Sequence, residues 1–207
     1  MTTNKPLLFV VGDSISIGYG TYLEQMIAPT IRYARKTGME AALHDAGHPA
    51  GPNGGDSFRL LQYLQALHET GDFSASILAL NCGLHDLKCD RESGKNQVSL
   101  RHYQANLEKI FPLAKRLADR VLWVRTTPVD EVRHRSQFPF DRVEADVDAY
   151  NEIADAAAAL HAVPTADLFT FSAALDLNDE SFRDGVHFSP ELAAQQAAFL
   201  SGRLSVL

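Results

Sequence analysis

Five short apolar runs, several of them rich in β-branched residues, mark the chain at residues 7–11, 41–43, 77–81, 121–125 and 163–166. They are continuous rather than alternating, the pattern of strands buried on both faces and hence of a parallel sheet. Between them lie stretches with apolar residues at helical spacing, clearest over residues 57–68, 100–117, 143–160 and 190–204. A weaker helix is predicted over residues 22–34, interrupted at Pro29. Strands alternating with helices predict an α/β doubly wound domain. Right-handed crossovers then bring the C-terminal ends of all strands to one edge, where such sheets bind ligands. Residues 12–14, 46–56, 83–86 and 126–141 fall at that edge. No repeat, low-complexity tract or linker divides the 207 residues, so one domain is expected.

Composition narrows the possibilities. Hydrophobic residues at 45% and charged residues at 22% are ordinary for a globular chain with a sizeable core. A net charge of -7 argues against a nucleic-acid partner, which calls for a basic patch. The first apolar run is too short for a membrane span or a signal-peptide core. A cytoplasmic protein with no membrane partner is therefore expected. Cys82 and Cys89 are too few for a disulfide framework, and Cys82 reads as a small core residue. His44 and His48 stand four apart, but Gly47 and Pro49 break the helix that would align them, so no metal is expected.

The chemistry-bearing residues lie at opposite ends of the chain. Gly12-Asp13-Ser14 follows the first strand, and Asp184-Gly185-Val186-His187 stands near the C-terminus. A Ser hydroxyl needs a neighbouring base to become a nucleophile, and an imidazole can serve at neutral pH. A carboxylate at the other ring nitrogen fixes the tautomer. Taken alone, Ser14 fits a helix N-cap and Asp184-Gly185 a turn ahead of the Ser189-Pro190 helix start. Those duties leave His187 unexplained. Attack on an ester also needs donors for the oxyanion. The Gly54-Gly55-Asp56-Ser57 turn offers backbone N–H groups at a helix start, with Asp56 as its cap. Asn53, a turn former, can also face its amide inward. His85, in Gly83-Leu84-His85-Asp86, offers a side-chain donor. In the long 126–141 connection, Arg133 and Arg135 are candidate contacts for an anionic substrate. No Gly-x-Ser-x-Gly surrounds Ser14, no Gly-Lys-Ser/Thr follows a Gly-rich turn, and Leu23 replaces the third Gly of a dinucleotide fingerprint after Gly18-Tyr19-Gly20.

These motifs, in this order, resemble the SGNH/GDSL hydrolase superfamily from Gly12 to His187. The resemblance implies a flavodoxin-like three-layer α/β/α sandwich with a five-stranded parallel sheet in strand order 2-1-3-4-5. It implies ester or thioester hydrolysis through an acyl-enzyme, without metal or organic cofactor. Ser14 matches the nucleophile and, through its N–H, one oxyanion donor. Gly55 matches the second-motif glycine donor, with Gly54 the alternative, and Asp184 and His187 match the remaining catalytic residues. Asp13 and Asp86 are expected to brace their loops. The departure is His85, which stands where the family carries Asn. A serine esterase acting on a small-molecule or carbohydrate ester with a short acyl group is expected. An O-acyltransferase would use the same residues, and the His85 change supports a binding protein that has lost catalysis.

Overall fold

The computed structural model describes residues 5–37, 51–175, 177, 178 and 180–207. Its centre is a five-stranded, all-parallel sheet in the order β2-β1-β3-β4-β5, as expected. The strands are β1 (Leu7–Val11), β2 (Arg32–Arg35), β3 (Ala75–Leu80), β4 (Ala118–Val124) and β5 (Thr165–Ala166). Helices α1 (Ser14–Ile27), α2 (Ser57–Thr70), α3 (Leu100–Leu117), α4 (Glu131–Gln137), α5 (Glu144–Leu160), α6 (Leu168–Ala173) and α7 (Pro190–Leu204) surround it. Helix α7 packs against α1 and α6 in one layer, and α3 packs against α2 and α5 in the other. Leu8, Val11, Leu78, Leu80 and Trp123 of the central strands are fully buried between the layers.

Three expectations are corrected. The weak helix predicted over residues 22–34 is instead α1, beginning at Ser14, followed by β2. Asp13 starts α1 early, its Oδ1 accepting the Ile15 N–H at 3.0 Å, and Pro29 follows its end. The second strand of the described sheet is therefore Arg32–Arg35, while the expected strand at 41–43 lies outside the described residues, as do His44 and His48. At the far edge β5 covers only Thr165–Ala166. Pro164 has no N–H to extend the ladder, although its carbonyl still accepts from Trp123 N at 2.9 Å. Finally, the 126–141 connection contains a helix, α4, capped by Asp130 Oδ1 on the Arg133 N–H at 2.9 Å.

Elsewhere the capping chemistry holds as read. Asp56 Oδ1 caps α2 through the Arg59 N–H at 2.9 Å. Ser189 precedes Pro190 at the first position of α7. Among the described residues no helix is long and apolar enough to cross a membrane. No group of three or more His, Cys, Asp or Glu there could hold a metal ion.

Edge strand β2 is tied to the sheet's functional end by Arg35. Its guanidinium donates to Ser16 O at 2.9 Å, Ser16 Oγ at 3.0 Å and Pro52 O at 3.3 Å. One side chain thus joins the first turn of α1 to the loop leading into α2. Arg35→Met is expected to lose about 1.5–3 kcal/mol of stability in urea unfolding, the scale of hydrogen bonds made by a charged donor. A loss below about 0.5 kcal/mol would show that water replaces these bonds.

Candidate active site

Strand β1 ends directly in Gly12-Asp13-Ser14, so the nucleophile candidate stands at the first position of α1. Asp13 is buried beneath it; besides capping α1, its carbonyl accepts Ser16 Oγ–H at 2.6 Å. Burial raises the Asp13 carboxyl, against the Ile15 N–H and the charges of Arg142 and His187. The bracing duty expected of Asp13 is the one its contacts describe.

The turn before α7 brings the other end of the chain to Ser14. His187 Nε2 lies 2.7 Å from Ser14 Oγ, and His187 Nδ1 lies 2.6 Å from Asp184 Oδ2. A carboxylate can only accept, so the ring proton sits on Nδ1 and Nε2 is left bare to accept the Ser14 hydroxyl proton. Asp184 Oδ1 accepts two further N–H groups, from Val186 at 3.0 Å and His187 at 2.9 Å. Burial works against the Asp184 carboxylate, but the bonds from His187 and Val186 outweigh it and hold the carboxyl well below the usual range. The arrangement is a charged acceptor, an oriented base and a polarised hydroxyl in series. The Asp-x-x-His pattern therefore does more than punctuate the chain.

Gly185 shows why this turn is placed where it is. Its φ is +86°, and a Cβ there would sit 2.5 Å from His134 N and 2.6 Å from Asp130 O. The Asp130 N–H also donates to Gly185 O at 2.8 Å. The turn thus lies flat on the start of α4. Arg133, expected as a substrate contact, instead donates to Phe182 O at 2.7 Å and pairs with Asp130 at 3.6 Å, tying α4 to the same turn. Arg135 is exposed and stands 3.7 Å from Asp141.

The third-motif loop follows β3. Gly83 needs φ +147°, and a Cβ there would lie 2.2 Å from Thr126 Oγ1. Asp86 accepts the Ser57 N–H on both oxygens, at 2.9 and 3.0 Å, locking this loop to the start of α2. Burial pushes the Asp86 carboxyl up to about 7 despite those bonds. Cys82 is fully buried and burial holds its thiol well above the usual range, which fits the core role expected of it. His85 faces Asn53, with Nε2 at 3.4 Å from Asn53 Nδ2. Burial, then the nearby cations Lys88, Arg142 and Arg59, pull His85 down to about 3, so it is neutral at ordinary pH.

The second-motif loop differs from expectation. Gly55 N–H donates to Asn53 Oδ1 at 2.8 Å, and Gly54 N–H donates to Gly12 O at 2.8 Å. Both glycine amides read as oxyanion donors are therefore engaged within the protein. The Ser14 N–H, in contrast, makes no hydrogen bond to any described residue.

Sequence reasoning passed over Arg142. It is buried, donating from Nε to Leu84 O at 2.7 Å and from Nη1 toward His134 Nε2 at 2.9 Å. It joins the His85 loop to the helix on which Gly185 rests. Burial lowers the guanidinium to about 10, opposed by the charges of Asp13 and Asp184, and it remains a cation. The signal available was an arginine beside Phe138-Pro139-Phe140. The guanidinium carbon stacks 5.1 Å from the Phe140 ring centre.

Residues 10–194 match the GDSL-like lipase/acylhydrolase family. The chain belongs to that family. No curated protein matches it. Among solved structures, the lipase/acylhydrolase from Enterococcus faecalis aligns with a TM-score of 0.72 at 18% identity, over 97% of this chain and 96% of its own. A member of the lipolytic G-D-S-L family from Veillonella parvula aligns at 0.69 and 18%, covering 97% and 99%. An acetyl xylan esterase, AlAXEase, aligns at 0.67 and 15%, covering 96% and 99%. At these identities the neighbours establish the fold that this GDSL-like chain shares.

Two outcomes follow from the packing of the site. Gly185→Ala is expected to lose about 1–3 kcal/mol, from the strained φ and the clash with α4, and to lower kcat with it. Wild-type stability in that variant would contradict the close approach. His134 is fully buried, and burial, then Arg142, lower it from 6.5 to about 4. Between those values the unfolded chain binds a proton here that the folded chain does not. Its contribution to stability therefore rises with pH from about 4 to 6.5 and is complete above. His134→Gln, which keeps an acceptor for Arg142, should flatten that rise by up to about 1.4 kcal/mol per pH unit. An unchanged slope in urea titrations would contradict a neutral His134.

Proposed function

We propose that this GDSL-like protein is a serine esterase that cleaves carboxylic esters of short acyl groups, such as acetyl on a carbohydrate or small metabolite. The observation that carries the reading is the hydrogen-bonded series Ser14–His187–Asp184. Ser14 Oγ attacks the ester carbonyl carbon as His187 Nε2 takes the hydroxyl proton. Asp184 holds the ring in the Nδ1–H tautomer and stabilises the imidazolium that forms. The negative charge on the carbonyl oxygen is met by the unengaged Ser14 N–H. Collapse of the tetrahedral adduct breaks the bond to the leaving alcohol, which receives its proton from His187. Water, deprotonated by the same nitrogen, then attacks the acyl-enzyme and releases the carboxylic acid and free Ser14.

The short-acyl part rests on the space beside Ser14 and His187. There Ile15, Gly18, Phe188 and Gln196 help line a pit of about 10 Å³ among the described residues. A volume near that of one water suits a methyl-sized group. An acetyl xylan esterase among the structural neighbours agrees with this size, although its likeness to this chain is one of fold.

Hydrolysis of p-nitrophenyl esters from acetate to octanoate tests the reading. The expected result is a preference for acetate, a loss of at least about 10⁴-fold in kcat for Ser14→Ala, and about 10⁴-fold for Asp184→Asn through the wrong tautomer. Wild-type rates no higher than those of Ser14→Ala on every ester would contradict it. Release of acylated alcohol rather than free acid, when a sugar acceptor is added, would move the assignment to acyl transfer.

A further inference from the structure

Where the family carries an Asn in its third motif this chain has His85, yet an amide side chain still stands beside the nucleophile turn, contributed by another loop. Asn53 is buried, and its backbone pairs with Gly12, two residues before Ser14. The orientation of its amide is fixed. The Gly55 N–H, at 2.8 Å, requires an acceptor, so Oδ1 faces Gly55 and Nδ2 faces the other way. On that other side, 3.4 Å away, is His85 Nε2. An amide nitrogen can only donate, so a bond across this contact requires Nε2 to be bare and the His85 proton to sit on Nδ1. His85 then has no proton on the nitrogen facing Asn53. Of the two Nδ2 hydrogens, one is directed to His85 and the other has no partner among the described residues.

We infer that Asn53 is the side-chain donor to the oxyanion, and that His85 is a positioning residue that accepts from Asn53 and aims its free N–H. The inference rests on the esterase reading above and assigns its missing donor. The amide has in effect moved from the third-motif loop to the second. The Gly55 N–H, which the family resemblance assigns to the oxyanion, here orients Asn53 instead. The neutrality of His85 agrees with an accepting ring, since a protonated one would oppose the Asn53 donor.

The test is a double-mutant cycle on wild type, Asn53→Ala, His85→Ala and the double variant, with Asn53→Asp as a control for the turn. Asn53→Asp keeps an oxygen for the Gly55 N–H and removes both donor hydrogens. With p-nitrophenyl acetate, Asn53→Ala and Asn53→Asp should each lose about 10²–10³-fold in kcat with little change in KM, the effect of deleting one oxyanion donor. Melting curves and fluorophosphonate labelling of Ser14 show that each variant is folded. If His85 acts through Asn53, the double variant loses no more than Asn53→Ala alone. The inference is overturned if both Asn53 variants stay within about threefold of wild type while His85→Ala loses about a hundredfold or more. It is also overturned if the two losses multiply in the double variant. Wild type that is inactive, with Ser14 unlabelled by a fluorophosphonate, overturns the esterase reading itself. Labelled Ser14 with unaffected Asn53 variants overturns only the assignment of Asn53.

Discussion

The 2.7 Å contact between His187 and Ser14 joins residues 173 positions apart. Everything else in the arrangement serves to hold its two ends at that distance. Ser14 is fixed by its place at the end of a buried central strand, where the Asp13 cap turns the chain into α1. His187 has no such strand behind it. It stands in a turn whose position is set by backbone contact with α4, by Arg133 on Phe182 O, and by Asp184 gripping the ring and two N–H groups. A hydrogen bond of this kind contributes only about 1 kcal/mol to stability. It therefore depends on the fold to form rather than helping the fold to form.

The loops around it are braced by polar side chains as well as by apolar packing. Asp86 locks the His85 loop to α2 through the Ser57 N–H, Arg35 locks β2 to the Ser16 turn and Pro52, and Arg142 locks Leu84 to α4. Asp86 and Arg142 are ionisable and buried, so each is costly unless its partners are in place. That cost makes the loops sensitive to single changes and gives the site little freedom to drift. Arg142 also brings a positive charge within reach of both Asp13 and Asp184, which favours their ionised forms. Nothing in the contacts of Arg142 gives it a role in bond making.

The central strands were legible because burial on both faces leaves an uninterrupted apolar run, as in Leu7–Val11. The edge strand was not: Arg32-Tyr33-Ala34-Arg35 faces solvent along one side and carries charges that read as a helix end or a loop. Helix α1 was read late because its first turn coincides with the Gly12-Asp13-Ser14 motif and because Gly18 and Gly20 dilute its apolar pattern. Parallel topology placed Ser14 at the ligand-binding edge, and the family resemblance brought Asp184 and His187 to it. What spacing did not reveal was which amide points where. Gly55 looks like a free donor in sequence, and only the side chain of Asn53, two residues away, shows that it is engaged. Arg142 was hidden for a related reason, since its partners are a carbonyl on another loop and a histidine on α4.

The most direct test of the account is to catch the covalent intermediate it requires. Wild-type protein mixed with p-nitrophenyl acetate, quenched in acid within the first turnover and digested, should carry one acetyl group on the peptide bearing Ser14. That adduct should be absent from the Ser14→Ala protein. Acetylation elsewhere at the same level in both proteins, or steady turnover with Ser14 never modified, would contradict a nucleophilic Ser14 and the mechanism built on it.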